Sequence, residues 1–220
     1  MSKKFSIIYP TKVNWSNPFK THSLYFTLVT LLLAAGVIAL LTAGRDAVFL
    51  TLNQKHTKAA DTFFFFYTHL GDGVFAFIIM LLAYFLFKNK PLAYSLLGSY
   101  LLSSLLAQIV KRAINAYRPA FYFARDKYNF FVDGVELAYQ NSFPSGHSTT
   151  AFAMVTTIIL MSSSKKYQLP LFLLAALVGY SRIYLIHHFP ADVLFGIFLG
   201  TICSYVVNAF VSSGFKIIKL

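Results

Sequence analysis

Three short clusters along the chain combine side chains that bind anions or transfer protons. The first runs from Lys111 to Pro119 and places the cations of Lys111 and Arg118 seven residues apart. If a helix continues through this segment, both cations face the same way, although Pro119 disfavours its continuation. Basic residues at a helix end also act as plain orientation signals. Taken alone, the first cluster leaves an anion site and a topological role open.

The second cluster is Pro144-Ser145-Gly146-His147, at the predicted start of a helix. Gly146 lets the backbone approach a ligand closely, and the free N–H groups of a helix start carry a partial positive charge that attracts anions. Ser145 fits the same anion site, but it equally fits a simple N-cap of the helix. The segment therefore indicates an anion cradle or a capped helix start.

The third cluster runs from Ser181-Arg182 to Asp192 and contains two adjacent histidines. His188 and Asp192 are four residues apart, the spacing at which side chains meet across one helical turn. A carboxylate that accepts one imidazole N–H leaves the other nitrogen free and basic, which prepares a nucleophile or a base. His187 is one residue out of this register and is left out of the site. Pro190 disfavours a regular helix just ahead of it, so the contact of His188 with Asp192 stays open.

The elements that must position these clusters are membrane-spanning helices. Of 220 residues, 57% are apolar and 12% are charged, with a mean hydropathy of +0.63, which is too apolar for a soluble domain. Open strands cannot cross lipid, and no segment alternates with period two. Counting runs of roughly 20 apolar residues predicts an all-α bundle with spans at 24–43, 70–87, 92–110, 147–164, 169–186 and 193–215. The clearly apolar part of the second span begins only at Val74, so its first turns must come from the preceding residues.

This arrangement predicts one domain, residues 1–220, with both termini on one side and outer loops at 44–69 and 120–146. The three clusters then lie at a single membrane face. Ten Lys and Arg residues fall on the terminal side and nine on the other, and three of the nine are candidate anion-binding residues, which favours cytoplasmic termini. The aromatic outer loops are interpreted as an interfacial belt, with the alternative that they grip a substrate.

Composition also excludes several functions. A net charge of +12 suggests nucleic-acid binding in a soluble chain, but here the charges form short islands between spans, so no nucleic-acid partner is expected. The single cysteine, Cys203, excludes an intramolecular disulfide and a cysteine-rich metal site. An anion transporter requires ionisable groups deep inside several spans, which are nearly free of them here. The anion transporter, although disfavoured, and a catalytically silent protein that binds anionic lipids remain alternatives.

Together the clusters form a pattern: Lys, six residues, Arg-Pro; then Pro-Ser-Gly-His; then Ser-Arg, five residues, His, three residues, Asp. In this form the sequence resembles the type 2 phosphatidic acid phosphatase family, which shares its site with the vanadium haloperoxidases. All three motifs match, with 24 residues between the first and second and 33 between the second and third. The soluble haloperoxidases are disfavoured because the chain lacks a soluble architecture.

The resemblance implies a metal-independent lipid phosphate phosphatase without a cofactor. It implies that His188 attacks phosphorus to give a phosphohistidine, that Asp192 holds the tautomer of His188, and that His147 protonates the leaving oxygen and then activates water. The implied phosphate-binding residues are Lys111, Arg118, Ser145, Gly146 and Arg182. The implied substrates are phosphatidate, phosphatidylglycerol phosphate, undecaprenyl diphosphate or lipid A phosphates, acted on at the outer face of a bacterial inner membrane. The oligomeric state is left open.

Overall fold

The computed structural model describes residues 18–123, 131–162 and 164–217, and within these ranges the chain is helical, without strands. Short 3-10 turns cover Thr68–Gly71 and Lys165–Tyr167, and a π-helical segment, Leu82–Leu86, continues α5. The α-helices are α1 Pro18–Thr21, α2 Ser23–Ala43, α3 Arg45–Asn53, α4 Lys58–Tyr67, α5 Gly73–Leu81, α6 Lys90–Ile114, α7 Pro119–Tyr122, α8 Gly146–Leu160, α9 Gln168–Tyr184 and α10 Pro190–Ile217.

The predicted all-helical class is confirmed, whereas the number of spans remains a prediction. Among the described residues, three helical stretches are long and apolar enough to cross a bilayer: Ser23–Ala43, Lys90–Tyr122 and Pro190–Val211. A fourth is added if Lys58–Gly71 and Gly73–Leu86, bent by 58°, count as one crossing. The helices α8 and α9 have only 15 and 17 residues. The predicted orientation rests partly on charges in residues 1–17, 124–130 and 218–220, which lie outside the described residues.

Several helix boundaries differ from those predicted. The helix α6 continues past residue 110 to Ile114 and ends because Asn115 adopts a left-handed conformation, with φ 45°. Lys111 and Arg118 therefore do not share one helix face, because the continuous helix on which that expectation depended is not formed. The predicted outer loop 44–69 is largely helical, since it holds α3 and α4.

The helix α8 occupies the centre of the bundle, where nearly all of its side chains are buried. It packs most extensively on α10, and two glycines of α10 make this possible. A Cβ at Gly196 would lie 2.7 Å from the carbonyl oxygen of Ser145, and one at Gly200 would collide with the carbonyl oxygen of Thr149. Small residues that let backbones approach closely are the usual means of joining helices in a bilayer.

Hydrogen bonds between buried polar side chains reinforce the same bundle. Thr157 Oγ1 donates to Ser99 Oγ at 2.8 Å, which joins α8 to α6, and Ser204 Oγ donates to the carbonyl oxygen of Ala153 at 2.7 Å, which joins α10 to α8. In a low-dielectric surrounding these polar groups must be satisfied internally. The start of α8 is thereby held at a fixed position relative to α6 and α10.

Candidate active site

Backbone hydrogen bonds bring the three sequence clusters together. The N–H of Ser145, in the second cluster, donates to the carbonyl oxygen of Asp192, in the third, at 3.0 Å. In the first cluster, the carbonyl oxygen of Ala116 accepts from the N–H of Ser142 at 2.9 Å, just before the second. Segments that are far apart in sequence therefore meet at one end of the bundle, where α6 ends and α8 and α10 begin.

A strained turn between α9 and α10 presents the two histidines. The helix α9 ends at Tyr184, and Ile186 has a φ of 61°, a conformation that costs a β-branched residue about 1–3 kcal/mol. The N–H groups of His187 and His188 both donate to the carbonyl oxygen of Arg182, at 2.9 and 3.1 Å. These hydrogen bonds hold the strained turn, and the turn directs both histidines toward the place where the three clusters meet.

His188 lies at the bottom of this junction, with a side chain only 2% exposed. Its Nδ1 lies 3.6 Å from Asp192 Oδ2, which is near but outside hydrogen-bond range. That carboxylate oxygen instead accepts from Ser142 Oγ at 2.5 Å and from the N–H of Phe189 at 2.9 Å. Because α10 begins at Pro190, His188 precedes the helix, and the two side chains approach without the hydrogen bond that their spacing suggested.

Burial lowers the pKa of His188 well below its ordinary value, and the positive charges of Arg118, Arg182 and Lys111 lower it further. Burial and the two guanidinium groups likewise lower the pKa of His187 to about 2. Both imidazoles are therefore neutral at neutral pH. A neutral imidazole facing cations keeps a lone pair for attack on an electrophile.

His187, which the sequence interpretation left out, contacts Arg118. The Nη1 of Arg118 donates to the carbonyl oxygen of His187 at 3.3 Å and lies 3.4 Å from its Nδ1. The Nε of the same guanidinium donates to the carbonyl oxygen of Gln140 at 2.8 Å. Carbonyl groups from two loops thus fix the orientation of Arg118 without neutralising its charge.

Arg182 is the most enclosed cation of the site. Its Nη1 donates to Thr68 Oγ1 at 2.5 Å, and its Nε is buried without a hydrogen-bond partner among the described residues. Arg118 and Lys111 lie within electrostatic reach of it. Three cations thus surround a space with Asp192 as the nearby carboxylate, and such an excess of positive charge favours an anion with several oxygens.

The start of α8 shows both alternatives considered for Ser145 and Gly146. Ser145 is the N-cap, because its Oγ accepts from Ser148 Oγ at 2.9 Å and from the N–H of Ser148 at 3.4 Å. No atom lies within 4 Å of a Cβ built at Gly146, so the side of this residue is open. The cap occupies the hydroxyl of Ser145, whereas the helix start beside Gly146 remains accessible to an anion.

His147 follows in the first turn of α8 and contacts a carboxylate from another part of the chain. Its Nε2 lies 2.6 Å from Asp72 Oδ1, and Asp72 Oδ2 lies 2.6 Å from His69 Nδ1. The sequence interpretation gave Asp72 no role in the site. An ionisable residue at the start of a span was nevertheless a signal of function that pointed to it.

A groove runs from His147 along α6 toward the middle of the bundle. It encloses about 530 Å³ of empty space, part of it open to solvent. Hydroxyl and amide side chains of α6 and α8 share its wall with apolar groups. The lining residues are Gly71, Asp72, Gly73, Tyr100, Ser104, Ala107, Gln108, Lys111, Gly146, His147, Thr149 and Thr150.

The structure thus brings together the predicted residues of all three clusters and adds four that were not assigned to the site. Ser142 and Thr68 hold Asp192 and Arg182 through their hydroxyl groups. Asp72 contacts His147, and His187 contacts Arg118. A hydroxyl partner such as Ser142 or Thr68 carries no spacing signal, because loops whose separation in sequence varies freely bring it to the site.

Comparison with known proteins agrees with this geometry. A sequence model of the PAP2 superfamily matches residues 92–215. The lipid A 4'-phosphatase of Porphyromonas gingivalis is 31% identical over 170 residues, which cover 73% of this chain and 70% of that protein.

Two solved structures share the fold. The crystal structure of Aquifex aeolicus LpxE matches with a TM-score of 0.60 and 31% identity, over 73% of this chain and 92% of that chain. The first transmembrane PAP2 type phosphatidylglycerolphosphate phosphatase from Bacillus subtilis matches with a TM-score of 0.60 and 24% identity, over 87% of this chain and 96% of that chain.

Proposed function

The chain belongs to the PAP2 superfamily and is an integral membrane lipid phosphatase of that type, and we propose that it works through a phosphohistidine on His188. The observation that carries the proposal is the surrounding of His188: a buried, neutral imidazole facing Lys111, Arg118 and Arg182. Neutrality supplies the lone pair for attack. The three cations attract the phosphate and stabilise the charge that its oxygens gain in the transition state.

In the first step, a ring nitrogen of His188 forms a bond to phosphorus while the bond from phosphorus to the lipid oxygen breaks. His147 gives a proton to that oxygen, so the lipid leaves as a neutral alcohol, or as a lipid monophosphate when the substrate is a diphosphate. Asp192 offsets the positive charge that the phosphorylated imidazole of His188 carries. After this step His147 is neutral.

In the second step, water attacks phosphorus and the bond from phosphorus to nitrogen breaks. His147 accepts a proton from the attacking water, and His188 returns to its neutral form as inorganic phosphate leaves. The three cations, with the backbone at Gly146 and the capped start of α8 at Ser145, bind the phosphate oxygens in both steps. Each residue thus returns to its starting state, and no step requires a metal ion.

The groove beside His147 supports a substrate whose leaving group extends from the phosphate along α6. Phosphatidate, phosphatidylglycerol phosphate, undecaprenyl diphosphate and lipid A phosphates all have this form. We place a lipid A type phosphate first, because Ser104, Gln108 and Thr150 offer hydroxyl and amide groups to sugar hydroxyls. A relative that is 31% identical is a lipid A 4'-phosphatase, which supports the same choice.

The proposed location is a bacterial inner membrane, with six spans, cytoplasmic termini and the site at the outer face. The excess of Lys and Arg on the terminal side supports this orientation. Labelling of single cysteines placed in residues 1–17 and in the loop after α6 tests it, provided that Cys203 is first replaced. Protection of the terminal cysteine in sealed cells, with labelling of the loop cysteine, is the expected result.

The function is tested by measuring phosphate release from a panel of lipid phosphates, with purified protein in detergent and EDTA present. We expect turnover of at least one glycerophospholipid, polyprenyl or lipid A phosphate at the same rate with and without the chelator. The His188→Ala variant is the control for contaminating phosphatases. Binding of anionic lipids without phosphate release from any panel member would leave the silent binding protein as the better explanation.

A further inference from the structure

We propose that Asp72 is a positioning residue that holds the general acid His147 through one ring nitrogen, so that the other nitrogen faces the leaving oxygen of the lipid. This inference rests on the proposed function, since it assigns a partner to the acid of that reaction. Asp72 lies before residues 92–215, the part of the chain that matches the PAP2 superfamily, so it belongs to none of the three clusters.

The carboxylate of Asp72 does not cap the helix that follows it. Asp72 is the N-cap residue of α5, where an Asp side chain normally accepts from the first free N–H groups of the helix. Here its side chain makes no capping hydrogen bond. Its two oxygens instead lie 2.6 Å from His147 Nε2 and 2.6 Å from His69 Nδ1. Asp72 therefore contacts His147 and does not stabilise the start of α5 by capping.

The glycines on either side place the backbone of Asp72 tightly against three helices. A Cβ at Gly71 would lie 2.9 Å from the Cβ of His147 and 2.7 Å from Val178 Cγ1. A Cβ at Gly73 would collide with the hydroxyl of Tyr100. The sequence Gly-Asp-Gly therefore lets this segment lie close to α6, α8 and α9, because a side chain at either glycine would push against Tyr100, His147 or Val178. The position of the Asp72 carboxylate is therefore set by the packing of its backbone as well as by its side-chain contacts.

The contact has a direct chemical consequence for His147. A carboxylate that accepts from Nε2 fixes the ring orientation and leaves Nδ1 as the nitrogen that exchanges a proton with the substrate. Its negative charge also favours the protonated imidazole, which the positive charge of Arg182 opposes. Among the described residues, the other charged or titratable groups that face His147 are His69, His187 and, across the groove, Lys111 and Tyr100. Burial disfavours the protonated imidazole more strongly still, so Asp72 supplies the negative charge that partly offsets the burial and the nearby cation.

The test compares Asp72→Asn with the unmodified protein on two substrates. For a lipid phosphate, whose alkoxide leaves poorly without a proton, we expect kcat to fall roughly 10–100-fold with little change in KM. For p-nitrophenyl phosphate, whose leaving group departs without a proton, we expect the burst of p-nitrophenol that reports phosphoenzyme formation to slow by no more than about threefold. The alkaline limb of the pH profile of kcat for the lipid moves to lower pH, because the imidazolium loses its negative partner.

Two further variants separate positioning from a general structural effect. His69→Ala removes the other partner of Asp72 and leaves the contact with His147, so it keeps near-normal kcat on both substrates. In a His147→Gln background, Asp72→Asn causes no additional loss, because the residue through which it acts is gone.

An equal loss on both substrates, an unchanged kcat for the lipid, or an additive loss in the His147→Gln background would each overturn the inference. These results leave the proposed function intact, since the unmodified protein still hydrolyses the lipid. Absence of lipid hydrolysis by the unmodified protein would instead remove the proposed function, and this inference with it.

Discussion

The two histidines assigned to the chemistry each have a carboxylate nearby, but the two pairs are built differently. His188 is buried in a strained turn, and the Oδ2 of Asp192 is taken up by Ser142 and the N–H of Phe189 at 2.5 and 2.9 Å. His147 lies in the first turn of α8 beside an open groove, and its Nε2 lies 2.6 Å from Asp72. The first carboxylate is kept at a short distance from its histidine, whereas the second contacts its histidine directly.

This difference matches what each imidazole must do. A nucleophile has to be neutral before the reaction, and burial among cations keeps His188 neutral while Asp192 lies near enough to offset the charge that later forms on it. A general acid has to carry a proton in a site rich in cations, so a direct carboxylate contact helps it. The distance between the imidazole and the carboxylate, and not only the presence of the carboxylate, therefore separates the two roles.

The largest effect is expected for His188→Ala, which removes the nucleophile. We expect phosphate release from the lipid to fall roughly 10⁴-fold or more, because neither step has a substitute for this nitrogen. Rapid acid-free quenching with a phosphate-labelled substrate should label the unmodified protein and leave the variant unlabelled. Labelling of the variant would show that another residue is the nucleophile, and the comparison of His188 with His147 would then fail.

His147→Gln is expected to reduce lipid turnover by about 10²–10⁴-fold, the usual contribution of general acid–base catalysis. Unlike His188→Ala, this variant keeps the nucleophile. With p-nitrophenyl phosphate it should therefore still form the phosphoenzyme in a burst and then hydrolyse it slowly, because water lacks its base. Stopped-flow detection of p-nitrophenol measures both phases, and the loss of the burst would contradict separate roles.

A smaller loss, roughly 10–100-fold in kcat/KM, is expected for Arg182→Lys. Arg182 lies within electrostatic reach of both His188 and His147, so it is the cation shared by the two halves of the site. Lysine keeps the charge but not the planar fork, so it cannot reproduce the contact of Nη1 with Thr68 together with a second N–H in a fixed direction. The exposed Arg112→Lys variant is the matched control and should retain full activity, as measured by phosphate release.

The smallest predicted effect concerns the pH dependence of kcat/KM in the unmodified protein. Because the pKa of His188 is lowered, the imidazole stays neutral as the pH falls through its ordinary value of 6.5. We therefore expect kcat/KM to decline on the acid side only below that value, where the lowered pKa of His188 is finally reached. A profile of kcat/KM against pH measures the limit, and a decline centred at 6.5 or above would indicate an exposed or carboxylate-bound nucleophile.

The helical class, the approximate extent of α2, α6 and α10, and the PAP2 family were predictable from sequence, because apolar runs and fixed motif spacings are local signals. The end of α6 was not, since the left-handed conformation of Asn115 decides it and the expectation depended on a helix continuing to Arg118. The short length of α8 also has no local signal, because it depends on burial by the surrounding helices.

Within the site, the sequence favoured His188 with Asp192 and identified His147, but it gave the latter no partner. Asp72 reaches His147 through the packing of α5 against α8, and no motif spacing encodes that contact. The same holds for Thr68, which binds Arg182 from a 3-10 turn distant in sequence. Motif spacing predicted the reacting groups, and tertiary packing supplied the groups that hold them.

The glycine seam between α8 and α10 limits how this enzyme can diversify. Since a methyl group at Gly196 or Gly200 meets main-chain atoms of α8, no gradual series of substitutions can shift one helix along the other. The second cluster begins α8 and the third ends in the first turn of α10, so this seam fixes where His147 and Asp192 lie relative to each other. Substitutions that fit the groove to another lipid are therefore expected at Ser104 and Gln108, on the wall that α6 provides.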